Sequence, residues 1–226
     1  MPVDLHPLDG ASVPSHPAAA VVHPSIVGAH VALFYQSDDS GSRRLLHQAW
    51  HHKTCDDDPG TYADEAEIAL QWVAPGLDDD ELNDLRTHAA LVAKHIRART
   101  IPYAIAARDA AILSDGSVTL GESLGLTCAT FLLALFDAAQ VKLLALGSWD
   151  TDRTAERCDE DEAAQRQIVL HLRSHDPGHA RLVEQDVGCT RVRAEEVAAA
   201  SGMTERPADF ARVEPEGRSV LSRLWR

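Results

Sequence analysis

The chain has 226 residues, 45 % of them apolar but only 5 % aromatic. That is enough to build a core from Leu, Val, Ala and Ile, and too much for a disordered chain. The formal net charge of −14 argues against a phosphate-backbone partner, which needs a Lys/Arg surface, and against electrostatic docking on an anionic membrane.

The first two dozen residues are rich in Pro, Ala and His and read as an irregular arm over 1–24. They lack a basic start followed by an apolar stretch, so a cytoplasmic location is expected, with export by a route that needs no cleaved signal left open. No run approaches the ~18 apolar residues of a membrane helix, so no transmembrane segment is expected. The segment IVGAHVALFYQ puts Val31, Leu33 and Tyr35 on one face and Ala32 and Phe34 on the other, the pattern of a buried strand. SDDSGS is a turn cluster, and RRLLHQAWHHK reads as a second strand closing a β-hairpin. TCDDDPGT reads as a loop, and EAEIALQWVAP fits either a strand or a short helix.

In LDDDELNDLRTHAALVAKHIRAR, Leu82, Leu85, Ala89, Val92 and Ile96 follow the 3,4 spacing of one helical face. Asp78 to Asp80 suit its start, and Arg97 and Arg99 its end. IPYAI reads as extended, and LSDGSVTLG as turn-rich. An apolar helix follows Cys128, ending near Gln140. DEDEAAQRQIVLHLRSH and RAEEVAAASGM read as helices, the second stopped by Gly202. HARLVEQDV fits a short strand or a short helix. The tail over 204–226 is polar, with Leu221, Leu224 and Trp225 available to dock it. The expected organisation is an α+β domain over 25–203 between the arm and the tail.

The four cysteines, Cys55, Cys128, Cys158 and Cys189, are widely spaced and form no CxxC pair, so free thiols are expected. Cys128 stands apart. If Gly125 marks the break and Thr127 caps, it opens a helix that is apolar on all sides (Phe131, Leu132, Leu133, Leu135, Phe136). A thiol at a helix start faces unpaired N–H groups and the positive end of the dipole, which lowers its pKa. The bland reading is a space-filling core cysteine. Cys55 and Cys158 stand beside acidic runs that disfavour a thiolate. Cys189 precedes TRVRAEE, whose arginines favour one, but no apolar helix backs it.

A cysteine nucleophile needs a base and the base an orienting partner. His30 stands inside an apolar strand, and His47 lies on the next one, where hairpin pairing can make them neighbours. This gives Cys128, His30 and His47 as nucleophile, base and orienter. Trp50 and Trp72 lie near the site strands and suit a cleft wall, or the core.

The layout HVALFYQ…RRLLHQAWH…IPYAI…GLTCATF resembles the circularly permuted papain-like cysteine hydrolases. These include the lecithin retinol acyltransferase type and bacterial relatives of the cell-wall amidases. The resemblance covers roughly residues 25–145 and implies an antiparallel sheet packed against a central helix that carries the cysteine. It implies His30 as base, His47 as third residue and Cys128 as nucleophile, with Tyr103 lining the substrate site. The acyltransferase type carries NCEHF where this chain reads LTCATF, so substrate-side features are not transferred.

What the resemblance implies is thiolate attack on an amide, ester or thioester carbonyl, with a covalent thioester. The oxyanion would be held by the Cys128 N–H and one further donor. Release to water gives an amidase, peptidase or thioesterase, the expected outcome; release to another acceptor gives an acyltransferase. The substrate would be a small-molecule, peptide or lipid acyl compound, and no cofactor is called for. Two alternatives stay open. One is a papain-like binding module without activity. The other is a metal-binding protein using His47, His51, His52 and Cys55.

Overall fold

The computed structural model describes residues 3–9, 14–25, 28–37, 41–96, 100–106 and 109–226. Ile26, Val27, turn residues 38–40, Arg97 and Arg99 lie outside the described residues.

Residues from the first third of the chain make an antiparallel sheet of six strands: β1 (Leu5–Pro7), β2 (Ala18–Ser25), β3 (Gly28–Gln36), β4 (Arg43–Trp50), β5 (Lys53–Asp57) and β6 (Gln71–Val73). The spatial order is β1-β6-β2-β3-β4-β5. The stretch expected as an irregular arm therefore supplies an edge strand and a central one. In β2, AAAVVH is buried throughout, because a strand covered on both faces needs no alternation with polar residues. The expected boundary at residue 24 falls inside the sheet. The TCDDDPGT stretch is likewise no plain loop: it forms β5 and the start of α1 (Pro59–Ala66), capped by Asp58.

The remaining elements are α2 (Asp79–Ile96), the small hairpin β7 (Ala111–Ile112) and β8 (Val118–Thr119), α3 (Cys128–Ala138), α4 (Gly147–Thr151), α5 (Ala155–Arg173), α6 (Pro177–Val183), α7 (Ala194–Ser201) and α8 (Phe210–Leu224). Leu82, Leu85, Ala89, Val92 and Ile96 of α2 are buried as their spacing requires. The polar tail is the amphipathic helix α8, which packs on α7 through Val213, Gly217 and Val220.

The two faces of the sheet are covered differently. One face (Ala18, Ala20, Val22, Val31, Leu33, Leu46, Val73) meets α2, α3, α7 and α8 in the main core. Burying Phe131, Leu132 and Leu135 of α3 there contributes about 1.5–3 kcal/mol each. The other face (Ala19, Val21, Ala32, Phe34, Leu45, Trp72) is covered by α1, through Tyr62 and Ala63. A third cluster joins α5 and α6 to the strap 101–105, through Ile168, Leu172, Val183 and Tyr103. Among the described residues no helix is long and apolar enough to cross a membrane.

Candidate functional site

Cys128 is the first residue of α3. Thr127 is extended and its hydroxyl accepts the Thr130 N–H (3.1 Å), while Thr130 Oγ1 accepts the Thr127 N–H (2.8 Å). This reciprocal cap fixes where the helix begins. The approach to it is just as constrained. Pro102 O accepts the Leu126 N–H (3.0 Å), and a Cβ on Gly125 would run into that carbonyl oxygen. Glycine is what lets the strap lie against the helix start.

The thiol receives the N–H groups of Val31 and Ala129, and Arg191 adds positive charge. Burial nevertheless outweighs these donors and holds the thiol above its usual range. The helix start acts as the sequence predicts, but desolvation of a buried thiolate is the larger effect. The activated thiolate expected from the dipole is therefore replaced by a neutral thiol.

The two predicted histidines meet. His30 Nε2 lies 2.8 Å from His47 Nδ1, and His47 Nε2 lies 3.0 Å from Asp57 Oδ2. The His47 contact holds the Asp57 carboxyl below its ordinary value, so Asp57 is an acceptor. It receives the proton from His47 Nε2, and in the neutral form of His47 this leaves Nδ1 bare to accept the proton from His30 Nε2. His30 Nδ1 then carries the lone pair. His30 is neutral, its pKa driven far down by burial, then by His47 and His23. His23 joins from β2, opposite His30. It is lowered to about 4, chiefly by burial, and donates from Nδ1 to Pro24 O (2.8 Å) while Nε2 faces the Tyr62 hydroxyl (3.1 Å).

The strand pattern puts His23, His30 and His47 on the α1 face of the sheet, whereas α3 packs on the other. What joins them is an opening. β3 pairs with β2 from Gly28 to Tyr35, but with β4 only from Leu33↔Leu46 to Gln36↔Arg43. Toward Gly28 and Trp50 the two strands are no longer paired, and the Cys128 thiol meets the Val31 N–H at that gap. Cys128 and His30 line one cavity of about 250 Å³ with Trp50, Tyr103, His171 and Arg191. Among the described residues no hydrogen bond joins the thiol to either imidazole.

Tyr103 and Trp50, predicted as substrate-lining, wall this cavity with ring centroids 4.5 Å apart, and His171 stands edge-on to Trp50 at 4.9 Å. The Tyr103 hydroxyl interacts with both the backbone N–H and the thiol of Cys128, and burial raises its pKa, so it stays protonated. Trp72 is elsewhere, stacked on His6 at 4.5 Å.

The four residues weighed as a metal set are divided. His47 groups with Cys55 and Asp57, and His51 with His52 and Asp176, because β4 ends at Trp50 and the chain turns at His51 and His52. Cys55 is pushed up to about 11 by burial and then by Asp57.

Asp57, Arg191 and His171 are site residues that the sequence did not single out. Asp57 was hidden in an acidic run read as a loop. Its signal is that Cys55, paired with His47, and Asp57, paired with Leu45, fall on the His47 face once β5 is recognised. Arg191 follows Cys189 closely in the chain, yet it lines the Cys128 cavity and lies 3.7 Å from Asp161. No family model, curated protein or solved structure matches this chain.

Proposed function

We propose that the protein is a cysteine-dependent acyl-transfer enzyme of the permuted papain-like kind, acting on an amide, ester or thioester, with water as the acceptor. The observation that carries the reading is that Cys128 and His30 line one cavity, with His30 held in a single tautomer by His47 and Asp57. Chain order supports it too: a histidine on the first hairpin strand, another on the second, and a late cysteine opening a core helix against an antiparallel sheet.

In this mechanism the acyl carbonyl enters the cavity between the thiol and the ring. His30 Nδ1 takes the thiol proton as sulfur attacks the carbonyl carbon. General-base removal is needed because both partners rest neutral. The His30 cation that forms is stabilised through His47 by the Asp57 carboxylate. The oxyanion develops against the Cys128 N–H and the Tyr103 hydroxyl, the second donor that the sequence alone left unnamed. His30 then gives its proton to the leaving group; the same ring takes a proton from water as its oxygen attacks the thioester carbon and returns that proton to sulfur as the C–S bond breaks, releasing the acid.

The test is p-nitrophenyl acetate followed by intact and peptide mass spectrometry. The expected result is an acetyl adduct on Cys128, absent in Cys128→Ala and slowed in His30→Ala. A second reading, the inactive binding module, is favoured by the raised thiol pKa. It takes over if wild-type Cys128 is never acylated and alkylates only on unfolding.

A further inference from the structure

The strap that carries Tyr103 has no regular secondary structure from Ile101 to Ala104, although Ile101, Tyr103 and Ala104 are buried. Backbone polar groups buried in such a segment must find partners outside any ladder. Ile101 O accepts from the His52 N–H (3.0 Å) and from Gln48 Nε2 (2.8 Å), and Pro102 O from the Leu126 N–H. At Tyr103 both backbone groups are taken by histidine rings. Its N–H donates to His51 Nδ1 (3.2 Å), and its carbonyl accepts from His179 Nε2 (2.8 Å). Asp176 links the two histidines, one through its ring and the other through its backbone. Its Oδ2 lies 3.5 Å from His51 Nε2, and its Oδ1 accepts the His179 N–H (2.9 Å) at the start of α6.

The hydrogen bonds fix the protons. A ring nitrogen that accepts from Tyr103 is bare, so neutral His51 carries its proton on Nε2, facing the Asp176 carboxylate. This also disfavours the metal reading of His51, His52 and Asp176, since an N–H nitrogen cannot ligate.

We propose that His51 and His179 are positioning residues that clamp the Tyr103 backbone and so hold its hydroxyl over Cys128, with Asp176 orienting His51. The inference rests on the acyl-transfer reading for its catalytic consequence, but the clamp itself is a property of the folded chain. Protonating His51 would set an N–H against the Tyr103 N–H and open the clamp. The groups facing His51 are His52, His179 and Asp176, and its pKa is lowered chiefly by burial, then by the two neighbouring rings. The clamp is thus closed at neutral pH and opens on acidification.

The experiment combines amide hydrogen exchange at Tyr103 with acylation by p-nitrophenyl acetate and iodoacetamide labelling of Cys128. The variants are His51→Ala, His179→Ala, Tyr103→Phe and the double variant His51→Ala/Tyr103→Phe, with far-UV circular dichroism to confirm folding. The expected result is that His51→Ala raises Tyr103 amide exchange tenfold or more. Each alanine variant should slow acylation about as much as Tyr103→Phe, and the double variant no further. His51→Asn and His179→Gln, which put an acceptor and a donor near the same points, should restore both readouts. The clamp is overturned if Tyr103 exchange is unchanged in His51→Ala, if the double variant loses the product of the two single effects, or if the wild-type protein holds zinc that His51→Ala loses. If wild-type Cys128 takes no acetyl group the acyl-transfer reading falls instead, while amide exchange and the labelling rate of Cys128 still decide the clamp.

Discussion

Two histidine assemblies converge on Cys128, and they are built alike from the outside in. Each begins at a partly exposed aspartate that faces the Nε2 of a buried ring: Asp57 hydrogen-bonds His47 at 3.0 Å, and Asp176 stands at a longer 3.5 Å from His51. From there they diverge. His47 hands its bare Nδ1 to another imidazole, so a proton gained at His30 is felt at Asp57. His51 hands its bare Nδ1 to a backbone N–H, which cannot titrate in this range. On the proposed reading the same residue pair passes a proton in one place and only holds position in the other, and the difference lies in what the second nitrogen meets.

The sharpest way to break this comparison is at the proton-transfer end. His30→Ala should lower acylation of Cys128 by about 10²–10⁴-fold, the range for losing a general base, read as the rate of acetyl-adduct formation. Asp57→Asn comes next. An amide that donates to His47 Nε2 reverses both ring tautomers and puts a proton on His30 Nδ1, so a fall of about 10²-fold or more is expected with little change in thermal unfolding. The matching change at Asp176, to Asn, touches no proton-transfer step but sets an amide donor against His51 Nε2 and loosens the Tyr103 clamp, so its loss should be no larger than that of Tyr103→Phe and smaller than that at Asp57. An equal loss at the two aspartates would end the distinction.

The thiol supplies a pH test. Burial raises the Cys128 pKa, so the thiolate appears only at higher pH than in a free thiol. Iodoacetamide labelling of Cys128 should be slower than that of exposed Cys158 at pH 7 and should still be rising above pH 9. A plateau below pH 8 would mean a preformed thiolate–imidazolium pair. A separate readout is stability. His23 titrates at about 4 in the folded protein against 6.5 when exposed. Above pH 6.5 neither state binds this proton. As pH falls from 6.5 toward 4 the unfolded chain binds it first, so stability is lost by about 3 kcal/mol across that window. His30 acts in the same direction. Urea unfolding between pH 7 and 4 should show the loss, and His23→Gln should flatten the slope.

Much of this was legible in the chain. The 3,4 spacing of Leu82 to Ile96, the unbroken apolar run around His30 and the Thr127 cap before Cys128 are local signals, and each produced the element it implies. The elements that escaped have physical reasons. β2 carries no alternation because it is covered on both faces. β5 ends in two aspartates, which are poor strand formers, and its pairing with β4 overrides that propensity. Asp57 could not be chosen among its neighbours until that pairing fixed its register.

Local sequence thus determined the antiparallel hairpin, the helix start and the residue types of the candidate site, because periodicity and capping act within a few residues. Tertiary structure alone decided three things. The β3–β4 opening brings a thiol from one face of the sheet into the same cavity as a ring from the other. The cavity's burial reverses the expected shift of the thiol, since desolvation depends on everything packed around a group rather than on its own helix. The strap is pinned by histidines that lie 52 and 76 positions away from Tyr103, a separation across which no local pattern carries information.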